Sequence, residues 1–321
     1  MYQKKFPKGD VMNTVKINEL LRQKADLSAR LNLLPYEGTP EIKENKSGKY
    51  LYVRRREVGK LKSIYVGIFN DDLYAALLRY SKEGRELRRL IRKTEKELAL
   101  LGYEDGELSG TVLLNLDFAR ANMKSNIYEQ AVLEGVATTF PQTETIIDGG
   151  IINGVSARDV QKILNLKHAW EFILDKDVLR AKSDFYVLSH IARLVNEGFY
   201  TEGGNLRAVP VKIGGSSYTP PLPIELDVKE TIESIISTDD SATDIAISIC
   251  LYCMKAQLFN DGNKRAAVIF ANHYLISHGG GLLVIPEHHV PEFKRLLVLY
   301  YEDRDKGKLR EFVKTECIRK I

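Results

Sequence analysis

Cysteine is scarce: the chain has three in 321 residues, Cys250, Cys253 and Cys317. Three thiols cannot form the paired framework of small disulfide-rich secreted domains, and they point to a reducing, cytoplasmic setting. Cys250 and Cys253 have C-x-x-C spacing but sit in an apolar run with no second ligand pair, so core packing is expected. Long hydrophobic stretches are also missing. Nothing approaches the ~18 uninterrupted apolar residues of a membrane span. The lysines after Met1 lead into no apolar segment such as a secretory leader carries. There is one tryptophan, Trp170, and neither an internal repeat nor a low-complexity segment. At 44% hydrophobic and 28% charged residues, the chain is expected to be a soluble globular protein with no membrane partner.

The net charge of +4 conceals an asymmetry, because residues 1–105 carry 23 Lys/Arg against 15 Asp/Glu and the remainder is net acidic. A basic module joined to a mildly acidic one implies different surfaces for different partners. The polar break from Gly102 to Ser109 marks the boundary, giving an arm over 1–105 and a second domain over 106–321.

In the arm, helical periodicity runs from Asn13 to Asn32 and stops at Pro35, Gly38 and Pro40. Two β-rich runs, Tyr50–Glu57 and Leu61–Gly67, flank Val58-Gly59-Lys60 and predict a hairpin. A charge-rich helix follows over 71–101, so the arm reads helix–β-hairpin–helix. Arg54, Arg55 and Arg56, with Lys60, Lys62 and Tyr50, Tyr52 and Tyr65, have the charge and rings to bind nucleic acid. The same cations are also what a strand edge uses against aggregation.

The densest chemistry lies in Gln257-Leu258-Phe259-Asn260-Asp261-Gly262-Asn263-Lys264-Arg265, between apolar runs 245–254 and 268–276. Asp-Gly-Asn is a turn signal. A Gly/Asn turn that opens a helix aims backbone N–H groups and a positive dipole end at one point, here beside Lys264 and Arg265, and so suits phosphate. An ordinary polar helix–helix turn uses the same residues.

This stretch resembles the core motif of the Fic/Doc family, H-x-F-x-[D/E]-G-N-[G/K]-R. Phe259, Asp261, Gly262, Asn263, Lys264 and Arg265 are in register, and Gln257 stands where the family has its catalytic histidine. The likeness spans roughly 111–318. It implies a mainly α fold, a Fic-type helical bundle with a short β-hairpin flap. It also implies ATP and Mg²⁺ as cofactors, with AMP moved onto a hydroxyl of a target protein. Gly262, Asn263, Lys264 and Arg265 would hold phosphates, Asp261 the metal, and Phe259 would anchor the loop. Two further stretches resemble family elements. Residues 120–135, ending Glu134-Gly135, resemble the inhibitory helix [S/T]-x-x-x-E-[G/N], with Gln130 where Ser or Thr is usual. Residues 209–221 resemble the flap, where Ile213, Gly214, Gly215 and Ser216 would register the target by strand pairing. The arginine that pairs with the inhibitory glutamate in such relatives is Val268 here. A surface glutamate before a helix-stopping glycine and a plain loop are the alternative readings of these two stretches.

The first motif position decides between two functions. A glutamine amide accepts a hydrogen bond but cannot hold the proton of an attacking hydroxyl, and loss of a general base costs about 10²–10⁴-fold. One reading is an Mg²⁺-dependent nucleotidyltransferase restrained by Glu134. The other is a nucleotide-binding, catalytically impaired regulator. His168, His190, Trp170 and His273 are expected to pack in helices, and His288 and His289 to lie in a loop.

Overall fold

The computed structural model describes residues 8–57, 60–103, 106–150, 152–305 and 307–321. The chain divides into two compact units, 1–105 and 106–321.

The first unit is built from α1 (Lys8–Leu33), a three-stranded antiparallel sheet of β1 (Thr39–Asn45), β2 (Gly48–Glu57) and β3 (Lys60–Ile68), and α2 (Asp71–Leu100). The expected hairpin is β2–β3; residues 58 and 59 at its tip lie outside the described residues. β1 is an addition to the helix–hairpin–helix reading. Pro40 and the charges of Thr39–Asn45 hide a strand that is tolerated because it lies at the sheet edge, paired to β2 with Pro40 opposite Val53. Leu51 and Val53 pack on Leu77 of α2, with Val66, Phe69 and Leu73 around them. Asn70 caps α2 by accepting from the Leu73 amide at 2.8 Å, and Asp71 and Asp72 complement its positive end. The buried stripe of α2 (Leu77, Ser81, Gly84, Leu87, Thr94, Leu98) keeps the 3–4 spacing of a core-facing helix, and Leu98 meets Leu20 and Leu21 of α1.

The second unit is mainly α, as the resemblance implies. Its elements are α3 (Gly110–Ala121), α4 (Met123–Leu133), α5 (Phe140–Ile147), α6 (Ala157–Ile173), α7 (Lys176–Arg180), α8 (Phe185–Val195), α9 (Glu225–Ile236), α10 (Ala242–Ala256), α11 (Asn263–Ser277), β4 (Leu282–Leu283), α12 (Val290–Tyr301), α13 (Gly307–Glu316) and β5 (Ile318–Arg319). Helices α3 and α4 break at Asn122, whose side-chain amide donates to the Phe118 carbonyl at 2.8 Å. Helix α11 is the centre. Every residue from Ala266 to Ile276 is buried, and α3, α6, α7, α8, α10 and β4 pack around it. Asn272 on α11 spans to β4, donating to the Leu283 carbonyl at 2.8 Å and accepting its amide at 2.9 Å. His273 is a packed core residue, bonded to Ser183 Oγ and the Val178 carbonyl at 2.8 Å each. Cys250, Cys253 and Cys317 are buried as well, and burial pushes the thiols of Cys253 and Cys317 up to about 12.

The β-hairpin expected at 209–221 is not formed: the segment contains no strand, only a turn in which the Ser216 amide donates to the Ile213 carbonyl at 3.2 Å. Pro210, Pro220 and Pro221 lack the N–H donors that a ladder needs. A buried cation replaces the ladder. Arg207 donates to the carbonyls of Val209 (2.9 Å), Pro220 (3.1 Å) and Pro221, so one guanidinium clamps both ends of the loop. No helix among the described residues is long and apolar enough to cross a membrane.

Candidate functional site

Helix α10 ends and α11 begins within a loop that reverses twice through left-handed backbone. Gln257 closes α10 at φ +46°, and Gly262 precedes α11 at φ +71°. Glycine is required at the second position for two reasons. Its φ is positive, and a Cβ would come 2.8 Å from Asn196 Oδ1 and 3.0 Å from Val195 Cγ2 at the end of α8. Asn196 is fully buried and donates to the Asp261 carbonyl at 2.9 Å, fixing the loop from beneath. Phe259, 1% exposed, anchors it in the core.

Asn263, which the resemblance assigns to phosphate, is engaged within the loop. Its Oδ1 accepts from the Phe259 amide at 2.9 Å, and its Nδ2 donates to the Phe259 carbonyl at 2.8 Å and to Gln257 Oε1 at 3.3 Å. It thus braces the turn. Gln257 is fixed at both ends of its amide, because its Nε2 also donates to the Met254 carbonyl at 2.7 Å. Its own carbonyl accepts from Arg207 Nε at 2.6 Å, which ties the clamped 208–221 loop to the start of the motif.

The charges converge on Arg265, whose side chain is 2% exposed. Its Nη1 donates to the Val195 carbonyl at 2.8 Å, at the negative end of α8. Its Nη2 lies 3.2 Å from Asp261 Oδ2, and its Nε 3.5 Å from Glu134 Oε2. The other oxygen of Glu134 is 3.4 Å from Lys264 Nζ. Glu134 caps the C-terminus of α4, and so the glutamate singled out before Gly135 reaches the motif cations directly. Val268, where the usual partner would stand, lies in the apolar wall of a cavity of about 10 Å³ with Asn126, Trp170 and Leu283. Gln130 accounts for the other departure. Its Nε2 donates to the Arg265 carbonyl at 2.8 Å and its Oε1 accepts from Trp170 Nε1 at 3.1 Å, bridging α4 to α11 and α6. Beyond Gly135, Thr139 caps α5 in a capping box with Gln142.

No side chain caps the first turn of α11, and its N–H groups sit beside Lys264 and Arg265, an arrangement that suits an anion. A metal fits only in company. Among the described residues no cluster of three or more His, Cys, Asp or Glu is placed to hold one. Asp261 is 41% exposed, with its oxygens on Arg265 and on the Gly262 amide at 2.7 Å. Mg²⁺ commonly uses one or two carboxylates with the oxygens of a phosphate, and that is the donor set Asp261 can complete.

The loop expected to register a target is held down. Glu302, following α12, accepts from Ser216 Oγ (3.2 Å), the Ser217 amide (2.8 Å) and Ser217 Oγ (3.1 Å), while Ile213, Gly214 and Gly215 form the turn above it. A cavity of about 510 Å³ lies along the far leg of this loop, lined by Tyr218, Leu222, Ile224, Tyr252, Lys255 and Tyr300. Gln257, Asn263 and Arg265 do not line it. Sequence reading missed Arg207, Asn196 and Glu302; of these only Arg207, beside Gly203-Gly204, lay in a stretch with any punctuation signal.

The second unit is thus a helical bundle whose central helix opens at a glycine turn flanked by cations. The Fic/DOC family model matches residues 184–275, which hold α8, α9, α10 and most of α11, and a domain of unknown function, DUF6788, matches residues 15–75. Residues 184–275 therefore match the Fic/DOC family. Among solved structures, a fragment of Fic-1 from C. elegans is 20% identical, with 76% of this chain and 77% of that one covered and a TM-score of 0.50. A Fic-domain-containing signaling protein from Bacteroides thetaiotaomicron is 16% identical over 65% of this chain and 81% of that one, with a TM-score of 0.52. These likenesses establish the fold. No curated protein matches the chain.

Proposed function

We propose that the 257–265 loop binds the phosphates of a nucleotide and that its transfer chemistry is impaired, making the protein a nucleotide-responsive Fic-family regulator. The observation that carries this reading is Gln257, an amide without a basic atom, hydrogen-bonded at both ends to Met254 and Asn263. ATP with Mg²⁺ is the donor that family membership suggests; bound, it would supply an activated α-phosphorus. Lys264, Arg265 and the first N–H groups of α11 would face its phosphates, and Asp261 its metal. Nothing at position 257 can then take a proton from an attacking hydroxyl.

A second reading, AMP transfer to a target-protein hydroxyl at the 213–216 turn, is favoured by Glu134. Its carboxylate occupies the cations a phosphate would need, and such a contact serves to hold back a site capable of turnover. The experiment uses α-labelled ATP, Mg²⁺ and lysate with the chain itself, Gln257→His, and Gln257→His/Glu134→Gly, alongside calorimetric titration of ATP into each. ATP binding by all three with labelling only after histidine is restored is the expected result. Labelling by the unaltered chain would establish the second reading, and absence of ATP binding from all three would overturn both.

A further inference from the structure

The first unit contains a concavity of about 390 Å³ between the sheet and α2. Arg54, Arg55 and Arg56 of β2 and Arg85 and Arg88 of α2 line it, and Glu37 is the one acidic residue among the described residues doing so. Arg88 pairs with Glu37. Five arginines ring one hollow against a single lining carboxylate, and a polyanion bridging them adds counter-charge.

Edge protection does not account for the whole of this cluster: it bears on Arg55 and Arg56, which lie beyond the reach of β1, and not on Arg54, Arg85 or Arg88. β2 is the central strand, and Arg54 has Thr39 of β1 on one side and Ser63 of β3 on the other. β1 reaches β2 only as far as Arg54, and beyond it the hollow opens toward α2. Arg85 and Arg88 belong to a helix, which has no edge to guard. Alternation along β2 puts Tyr52 on the face of Arg54 and Arg56, and its cross-strand partner Tyr65 is 53% exposed, with the rings 5.4 Å apart. Lys43 Nζ lies 4.4 Å over the Tyr52 ring. Cations and accessible rings therefore continue along the sheet past the hollow, farther than a single nucleotide extends.

We infer that this face of the first unit binds the phosphate backbone of a nucleic acid, with the arginine hollow seating the phosphates and Tyr52 and Tyr65 available to bases or sugars. The reading is independent of the nucleotide site in the second unit.

The test is fluorescence anisotropy of the full chain with a short labelled DNA duplex and with its single strand. Between about 50 and 200 mM salt, log K should fall with log[salt] at a slope of about −4 for the duplex, as expected for roughly five phosphate contacts. Arg54→Gln/Arg56→Gln/Arg85→Gln should reduce the slope by about three and weaken binding by at least ~30-fold at the lower salt. The charge-matched Lys46→Gln/Lys93→Gln/Lys96→Gln, away from the hollow, should change it less than ~3-fold. Melting curves of both variants should match the parent, and a variant that melts early is replaced by the single Arg56→Gln. No binding to either nucleic acid at low salt would overturn the inference. So would equal losses in the two variants, full displacement by ATP, or capture of the chain by anionic vesicles in place of nucleic acid.

Discussion

Arg207 donates from Nε to the carbonyl oxygen of Gln257, at 2.6 Å, while its other nitrogens hold both ends of the 208–221 loop. The first residue of the motif and the segment where a target would dock therefore share one buried cation. Any movement of the loop is felt at Gln257 through that guanidinium.

Replacing Arg207 removes every one of these bonds at once. Arg207→Met should lower unfolding free energy by about 3 kcal/mol, because several carbonyls lose a charged donor worth roughly 1.5–3 kcal/mol each and water recovers part of the loss. Urea denaturation measures the total, and hydrogen exchange should show protection lost first over 208–221. Arg207→Lys should fall between the two, since an ammonium cannot span the fork of carbonyls.

Glu134 is the neighbouring counter-charge of a buried Arg265, and its removal has two opposed effects. Glu134→Gln should lower stability by about 1–3 kcal/mol, because the buried guanidinium keeps only Asp261 as a counter-charge. The same variant should bind ATP about tenfold more tightly, a gain of ~1.4 kcal/mol. Thermal melts with and without ATP separate the two: the variant should melt lower alone and shift further upward with ligand. A variant that is less stable and binds no better would show that the carboxylate only balances charge.

Gln130 joins the Trp170 indole to the Arg265 carbonyl. Gln130→Ser installs the residue common in resembling helices but cannot reach either partner, so a loss of about 1–3 kcal/mol is expected, chiefly from the buried Trp170 N–H left unsatisfied. Tryptophan fluorescence reports the change directly, because Trp170 is the only tryptophan.

Glu302 has its carboxyl held below the ordinary range by the Ser217 amide and hydroxyl, with Ser216 adding to the effect. A depressed folded pKa means that the latch is fully present above the ordinary glutamate value of about 4.3 and is lost as pH falls through the folded value. Proteolysis of 208–221 by an acid-active protease should therefore accelerate below about pH 4. Glu302→Gln should show that faster cleavage already at neutral pH.

His273 is neutral by burial, which pulls its pKa down. Stability from a neutral histidine is complete above about pH 6.5 and declines as pH falls toward the folded value. The melting temperature should drop between pH 7 and pH 5, and a His273→Gln variant should show a smaller drop across that interval.

The main frame of the second unit was legible because its signals are local. In the structure Ser156 and Asp184 cap α6 and α8, short-range contacts with apolar periodicity behind them. The motif loop was legible as well, since Asp261-Gly262-Asn263 between two apolar runs has few other solutions. Long-range polar contacts were not. Gln130 could be seen as a departure, but its service to Trp170 and Arg265 depends on a meeting of three helices. The expectation of a hairpin at 209–221 rests on its resemblance to the family's flap; its clamp by Arg207 lies outside any periodic pattern. β1 was hidden by Pro40 and by alternating charge, features that only an edge position makes acceptable.

The three buried thiols, two of them pushed to about 12, have a practical consequence. Reagents that attack thiolates should pass over the folded protein, so a cysteine introduced at exposed Val209 would be the one that reacts. A dye placed there would report the position of the loop during nucleotide addition, with no native cysteine to be removed first.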